Sequence, residues 1–87
     1  MPRTPEQIAA DDALTAAIDR VWAAYSDIED GVLVDYIVVA NRRHWDADGD
    51  TATSTFLHNR DDSVPIANQL GLAEFMACRV RKWIAED

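Results

Sequence analysis

Residues 32–58 read VLVDYIVVANRRHW (Val32–Trp45), DADGD (Asp46–Asp50) and TATSTFLH (Thr51–His58). Two runs rich in β-branched and aromatic residues flank a short acidic turn that contains Gly49, the pattern of a β-hairpin. One helical pattern precedes these runs and another follows them. The expected class is α+β, in the order α-β-β-α: a central antiparallel β-hairpin flanked by an N-terminal and a C-terminal helix. The whole chain, residues 1–87, reads as a single α+β domain, with residues 1–5 a flexible N-terminal tail.

Within the first run, Leu33–Ala40 is apolar at both parities except at Asp35. A half-buried strand alternates; a strand covered on both faces does not. Two helices and two strands supply little material to cover both sides, and a two-stranded sheet is marginal alone. Self-association that buries the second face or the free strand edge resolves this; the alternative is one helix on each face.

The turn Asp46-Ala47-Asp48-Gly49-Asp50 spaces carboxylates at alternate positions, as calcium loops do. An EF-hand needs Gly at its sixth position and Glu at its twelfth, where this chain has Thr51 and Leu57. Turn geometry and solvation account for Asp and Gly here. With the turn centred on Asp48–Gly49, His44 faces Thr53 and His58 lies five residues further along, roughly 17 Å at strand rise. The two histidines therefore share no metal, and no metal site is expected. Arg42-Arg43-His44-Trp45 is the one basic-aromatic cluster. It suits either a nucleic-acid contact or, more simply, a solvated strand end whose arginines pair with nearby acids. Trp45 is a contact candidate, because Trp and Arg are enriched at interfaces.

Upstream, Thr4-Pro5-Glu6-Gln7 is a helix start, with Thr4 as cap, Pro5 at the first helical position and Gln7 at capping-box spacing. Ile8, Leu14, Ile18, Val21, Trp22 and Tyr25 then share one face. Asp11 falls on that same face, where a frayed or solvent-facing first turn would accommodate it. Ala9, Ala13, Ala16, Arg20 and Ala23 line the opposite face. The helix should end near Tyr25–Ser26, and Asp27–Gly31 should turn into the first strand.

Downstream, Asn59–Asp62 is a turn, Ser63 is the expected N-cap, and a helix should run from Val64 to Ala85. Ile66, Leu70, Leu72, Ala73, Met76, Ala77, Val80, Trp83 and Ile84 occupy one broad arc. Gly71, Phe75 and Cys78 lie together on the back. Gly71 marks either a weak point in the helix or a close contact, and Phe75 between small residues is either an ordinary exposed ring or an interface knob. Cys78 has no local base to make it a nucleophile. Tyr36, Val38, Trp45, Phe56, Gly71, Phe75 and Cys78 are the candidate interface residues.

Composition bounds the remaining classes. Sixteen acidic and eight basic residues leave a net charge of −8, which disfavours nucleic-acid binding through phosphate repulsion. The single cysteine allows no internal disulfide and suits a reducing cytoplasm. No apolar run approaches the ~20 residues of a membrane span, and the N-terminus lacks a secretory core. The chain has no P-loop, nucleophile elbow, H-E-x-x-H or clustered Cys/His, so neither catalytic residues nor cofactors are expected. His44, His58, Asp35 and Tyr36 are the only candidates an enzyme reading could use, and no spacing joins them.

The run Asp35-Tyr36-Ile37-Val38-Val39-Ala40, the turn Asp48-Gly49-Asp50, and Pro65 with Leu70-Gly71-Leu72-Ala73-Glu74-Phe75 resemble small accessory proteins encoded by actinobacteriophages. The resemblance covers about residues 31–84. It implies a viral accessory protein in the bacterial host cytoplasm, and carries no activity or catalytic residues with it. The expected function is non-enzymatic: a homodimer that acts by binding a protein, a host protein included, with no nucleic acid and no membrane as partner. The alternative is an acidic DNA mimic that inhibits a host nucleic-acid-binding protein, with Asp11, Asp12, Asp19, Asp27, Glu29 and Asp30 supplying the negative surface.

Overall fold

The computed structural model describes residues 2–27 and 31–86. Helix α1 (Pro5–Tyr25) is followed by strands β1 (Ile37–Trp45) and β2 (Thr51–Asn59), a 3-10 turn (Arg60–Asp62) and helix α2 (Ile66–Glu86). The expected α-β-β-α order is present. Contacts gather the chain into two compact units, Met1–Asp35 and Tyr36–Asp87.

In the first unit the start of α1 follows the expected chemistry. The Thr4 hydroxyl accepts the Gln7 N–H at 3.1 Å, and Gln7 Oε1 accepts the Thr4 N–H at 2.8 Å. Two helix-end donors are thus satisfied reciprocally, with Pro5 following the cap where its missing N–H removes nothing. At the other end the Ser26 N–H donates to the Trp22 carbonyl at 2.9 Å. Of the turn expected at 27–31, residues 28–30 lie outside the described residues.

Asp11 departs from expectation. It is 5% exposed, and Arg3 Nη1 donates to its Oδ2 at 2.7 Å. The carboxylate faces inward because an arginine eight residues earlier reaches it; a charge is kept out of water only with such a partner. Arg3 and Thr4, assigned above to the N-terminal tail, thereby both hold α1. On the apolar stripe Leu14 and Ile18 are half-buried, whereas Val21, Trp22 and Tyr25 are exposed.

In the second unit β1 and β2 pair antiparallel from Ile37↔Asn59 to Trp45↔Thr51. The strand expected from Leu33 begins instead at Ile37 and continues through Arg42-Arg43-His44 to Trp45. A strand is defined by its partner, and β2 has no residue to oppose those before Tyr36. After Asn59 the chain leaves the ladder through Asp61 and Asp62, both with φ of 55°, and the last link is the Arg60 N–H to the Tyr36 carbonyl at 3.1 Å.

The register also differs by one residue from that expected: His44 opposes Ala52, not Thr53. The Gly49 N–H donates to the Asp46 carbonyl at 3.2 Å and the Asp46 N–H to the Asp50 carbonyl at 3.0 Å. Gly49 has φ +84°. This is a type I turn extended by one left-handed residue, which pairs Asp46 with Asp50. The Asp46 side chain fixes it, Oδ1 accepting the N–H groups of Asp48 at 2.9 Å and Asp50 at 3.0 Å.

Between β2 and α2, the Val64 N–H donates to Asn59 Oδ1 at 2.9 Å, and the Val64 carbonyl accepts Gln69 Nε2 at 2.8 Å. Ser63 is not the helix cap. Its N–H and hydroxyl both donate to the Arg60 carbonyl, and α2 starts at Ile66, after Pro65 rather than before it. The α region is disfavoured for a residue preceding proline, which keeps Val64 out of the helix. Pro65 instead offers its carbonyl to the N–H groups of Asn68 and Gln69, both at 3.0 Å. Helix α2 runs unbroken through Gly71, where an added Cβ would meet nothing within 4 Å; neither the break nor a close approach occurs among the described residues. Tyr36 and Val64, each 7% exposed, are the only buried apolar residues among those described.

Candidate interaction surface

Directly opposed residues of an antiparallel ladder project to the same side, and successive residues to opposite sides. One face of the ribbon therefore carries Ile37, Val39, Asn41, Arg43 and Trp45 with Asn59, Leu57, Thr55, Thr53 and Thr51. The other carries Val38, Ala40, Arg42 and His44 with His58, Phe56, Ser54 and Ala52. Side-chain contacts agree with this sorting. Thr55 Oγ1 donates to Asn41 Oδ1 at 2.6 Å on the first face. His44 Nε2 lies 3.1 Å from Ser54 Oγ on the second, where Phe56 and His58 also stack with ring centres 5.6 Å apart.

Both faces expose large apolar side chains. Val39 and Leu57 form an opposed pair on the first face, Leu57 71% exposed, with Trp45 at the turn end 67% exposed. Phe56 is exposed on the second face and Val38 is half-buried. Only the residues farthest from the turn (Ile37, Val38, His58 and Asn59) are partly covered. The Val39–Leu57 pair is absent from the candidates drawn from sequence, although its signal was there: β-branched and aliphatic residues at positions that become opposed once the register is known.

The seven sequence candidates divide accordingly. Tyr36 is buried, a core residue of the second unit. Val38 and Phe56 share a face, and Trp45 lies on the other. Gly71, Phe75 and Cys78 are exposed on α2, where the Arg79 guanidinium sits 5.2 Å from the Phe75 ring centre. The basic-aromatic cluster is contiguous only in sequence. The pleat sends Arg43 and Trp45 to one face and Arg42 and His44 to the other, and among the described residues neither Arg42 nor Arg43 forms the expected ion pair.

The two histidines an enzyme reading would use are far apart. His44 and His58 lie on the same face but six residues apart along the ribbon, roughly 20 Å at strand rise. His44 is exposed. Among the described residues no group of three or more His, Cys, Asp or Glu side chains could hold a metal ion, and no helix is long and apolar enough to cross a membrane. The acidic surface of the decoy reading also loses a member, since Asp11 is buried against Arg3; Glu29 and Asp30 lie outside the described residues.

Comparison with protein-family models, with curated proteins and with solved structures finds no match to this chain.

Proposed function

We propose that this chain is a non-enzymatic protein that works through protein–protein contact and does so as a homodimer. The observation that carries the reading is the inversion of burial. Among the described residues, seventeen large hydrophobic side chains are exposed while two apolar residues are buried, whereas a soluble monomer seldom leaves contiguous apolar patches of more than a few hundred Å². Surface of this kind is what an obligate interface consumes. The separation of His44 from His58 along the ribbon supports the absence of catalysis. The resemblance over residues 31–84 supports an accessory role of the phage type, exercised in a host cytoplasm.

Light-scattering mass across a concentration series tests the first half: a mass of two chains is expected, and a single-chain mass at high concentration would refute it. Capture of a host protein, diminished by Trp45→Ala or Phe75→Asp, tests the second. A partner bound equally by wild type and both variants would remove these residues from the contact.

A further inference from the structure

Helix α2 shows apolar residues in the 4-3-4-3-4 spacing of a coiled-coil seam, from Ile66 through Leu70, Ala73, Ala77 and Val80 to Ile84, and no α2 residue is buried. Leu70, Val80 and Ile84 are exposed and Ala77 is half-buried. Such a seam is completed by a second helix. We propose that its occupant is α2 of a second copy, lying antiparallel across a two-fold axis that passes between residues 78 and 79. This rests on the homodimer reading and specifies its contact.

Three features of the helix select that arrangement. The first is charge. Leu70, Ala77 and Ile84 are a positions and Ile66, Ala73 and Val80 are d positions, which makes Glu74 and Arg81 successive e positions flanking the seam. In an antiparallel pair e faces e of the partner, so Glu74 meets the second copy's Arg81, and the two-fold axis repeats the pairing. Both side chains are exposed, and neither has an ion-pair partner among the described residues. A parallel pair sets g against e instead. Gln69 would then meet Glu74 and Met76 would meet Arg81, bringing no opposite charges together.

The second feature is volume. The same register seats Ala77 opposite Val80 and Ala73 opposite Ile84, a small residue against a large one in each layer of the overlap, as interdigitation requires, and leaves Ile66 and Leu70 beyond the end of the second copy's α2. The fully overlapped antiparallel register would set Ala73 against Ala77, Leu70 against Val80 and Ile66 against Ile84, pairing small with small and large with large, and would bring Glu74 against its own copy. The third is the opposite flank. There g meets g, and Met76 lies against the second copy's Trp83, a thioether–aromatic contact that gives two exposed apolar side chains a partner.

Charge reversal provides the test, because Glu74 and Arg81 are exposed and their replacement leaves the helix interior intact. In Glu74→Arg every facing pair becomes arginine against arginine; in Arg81→Glu it becomes glutamate against glutamate. Each variant alone should dissociate about tenfold more readily than wild type in sedimentation equilibrium, the scale of two lost surface pairs plus their repulsion. An equimolar mixture of the two should regain the wild-type affinity, since each heterodimer restores Glu–Arg pairing at both positions, and circular dichroism should show unchanged helix content throughout. A dimeric wild type whose single variants dissociate no more readily, or whose mixture fails to recover, overturns the antiparallel α2 contact and leaves self-association standing. A monomeric wild type overturns both.

Discussion

Arg3 Nη1 lies 2.7 Å from Asp11 Oδ2, spanning the first two turns of α1 from a position outside the helix. The Asp11 side chain is nearly inaccessible while that of Arg3 keeps about a quarter of its surface. Removing the partner of a buried charge is more disruptive than removing an exposed pair. Arg3→Met should therefore destabilise α1 by about 1–3 kcal/mol, discounted for the arginine's exposure. Thermal unfolding followed by circular dichroism measures this, and a variant that melts with wild type would show that the pair is incidental.

The Thr4–Gln7 box should behave as a unit. Thr4→Ala removes the acceptor for the Gln7 N–H and should lower stability by about 1 kcal/mol. Gln7→Ala should lower it by less, and the double variant by less than the sum of the two, because the two bonds share one geometry.

The glycines separate by conformation. Gly49, at φ +84°, should resist replacement: Gly49→Ala places a Cβ in the left-handed region and should destabilise the hairpin by about 1–2 kcal/mol. Gly71 sits in a regular helix with open space where a Cβ would be. Gly71→Ala should raise stability by about 0.5–1 kcal/mol. It should also leave the dissociation constant of the dimer unchanged, because Gly71 lies outside the seam of α2. Melting temperature and sedimentation on the same two variants check both statements.

Phe75 and Arg79 are one helical turn apart, with the guanidinium 5.2 Å from the ring centre. At an exposed site such a contact contributes about 0.5–1 kcal/mol. A double-mutant cycle of Phe75→Leu and Arg79→Gln should yield a coupling in that range, measured by chemical denaturation.

Local signals suffice where one residue's chemistry decides the outcome. Thr4, Pro5 and Gln7 begin α1, Ser26 ends it, and Gly49 marks the turn. The errors arise where a second residue decides. The strand boundary at Ile37 depends on where β2 runs out, which no property of Leu33 or Val34 reveals. The one-residue shift in register follows from the Asp46 carboxylate gathering two backbone N–H groups, which lengthens the turn by a single left-handed residue. The burial of Asp11 is not legible from its own helix, because its partner sits eight positions earlier, beyond the spacing at which helical side chains pair. Ser63 looked like a cap until Pro65 is allowed its effect on Val64. Of the candidate surface, Trp45, Phe56 and Phe75 were legible as large rings at exposed positions, whereas Tyr36 went to the core and Val39 and Leu57 emerged only from the pairing.

The ribbon has two strands, so among the described residues each strand has an outer edge without a neighbouring strand, and the two edges are guarded unequally. β1 carries Arg42 and Arg43, whose charges oppose the stacking of a further strand; Thr51–Asn59 contains no lysine, arginine, aspartate or glutamate. Charged residues are the usual protection of an open sheet margin. Growth of the sheet, whether by a recruited peptide or by unwanted polymerisation, is therefore directed to the threonine-rich margin, and a single lysine there, at Thr53, would close the molecule to it.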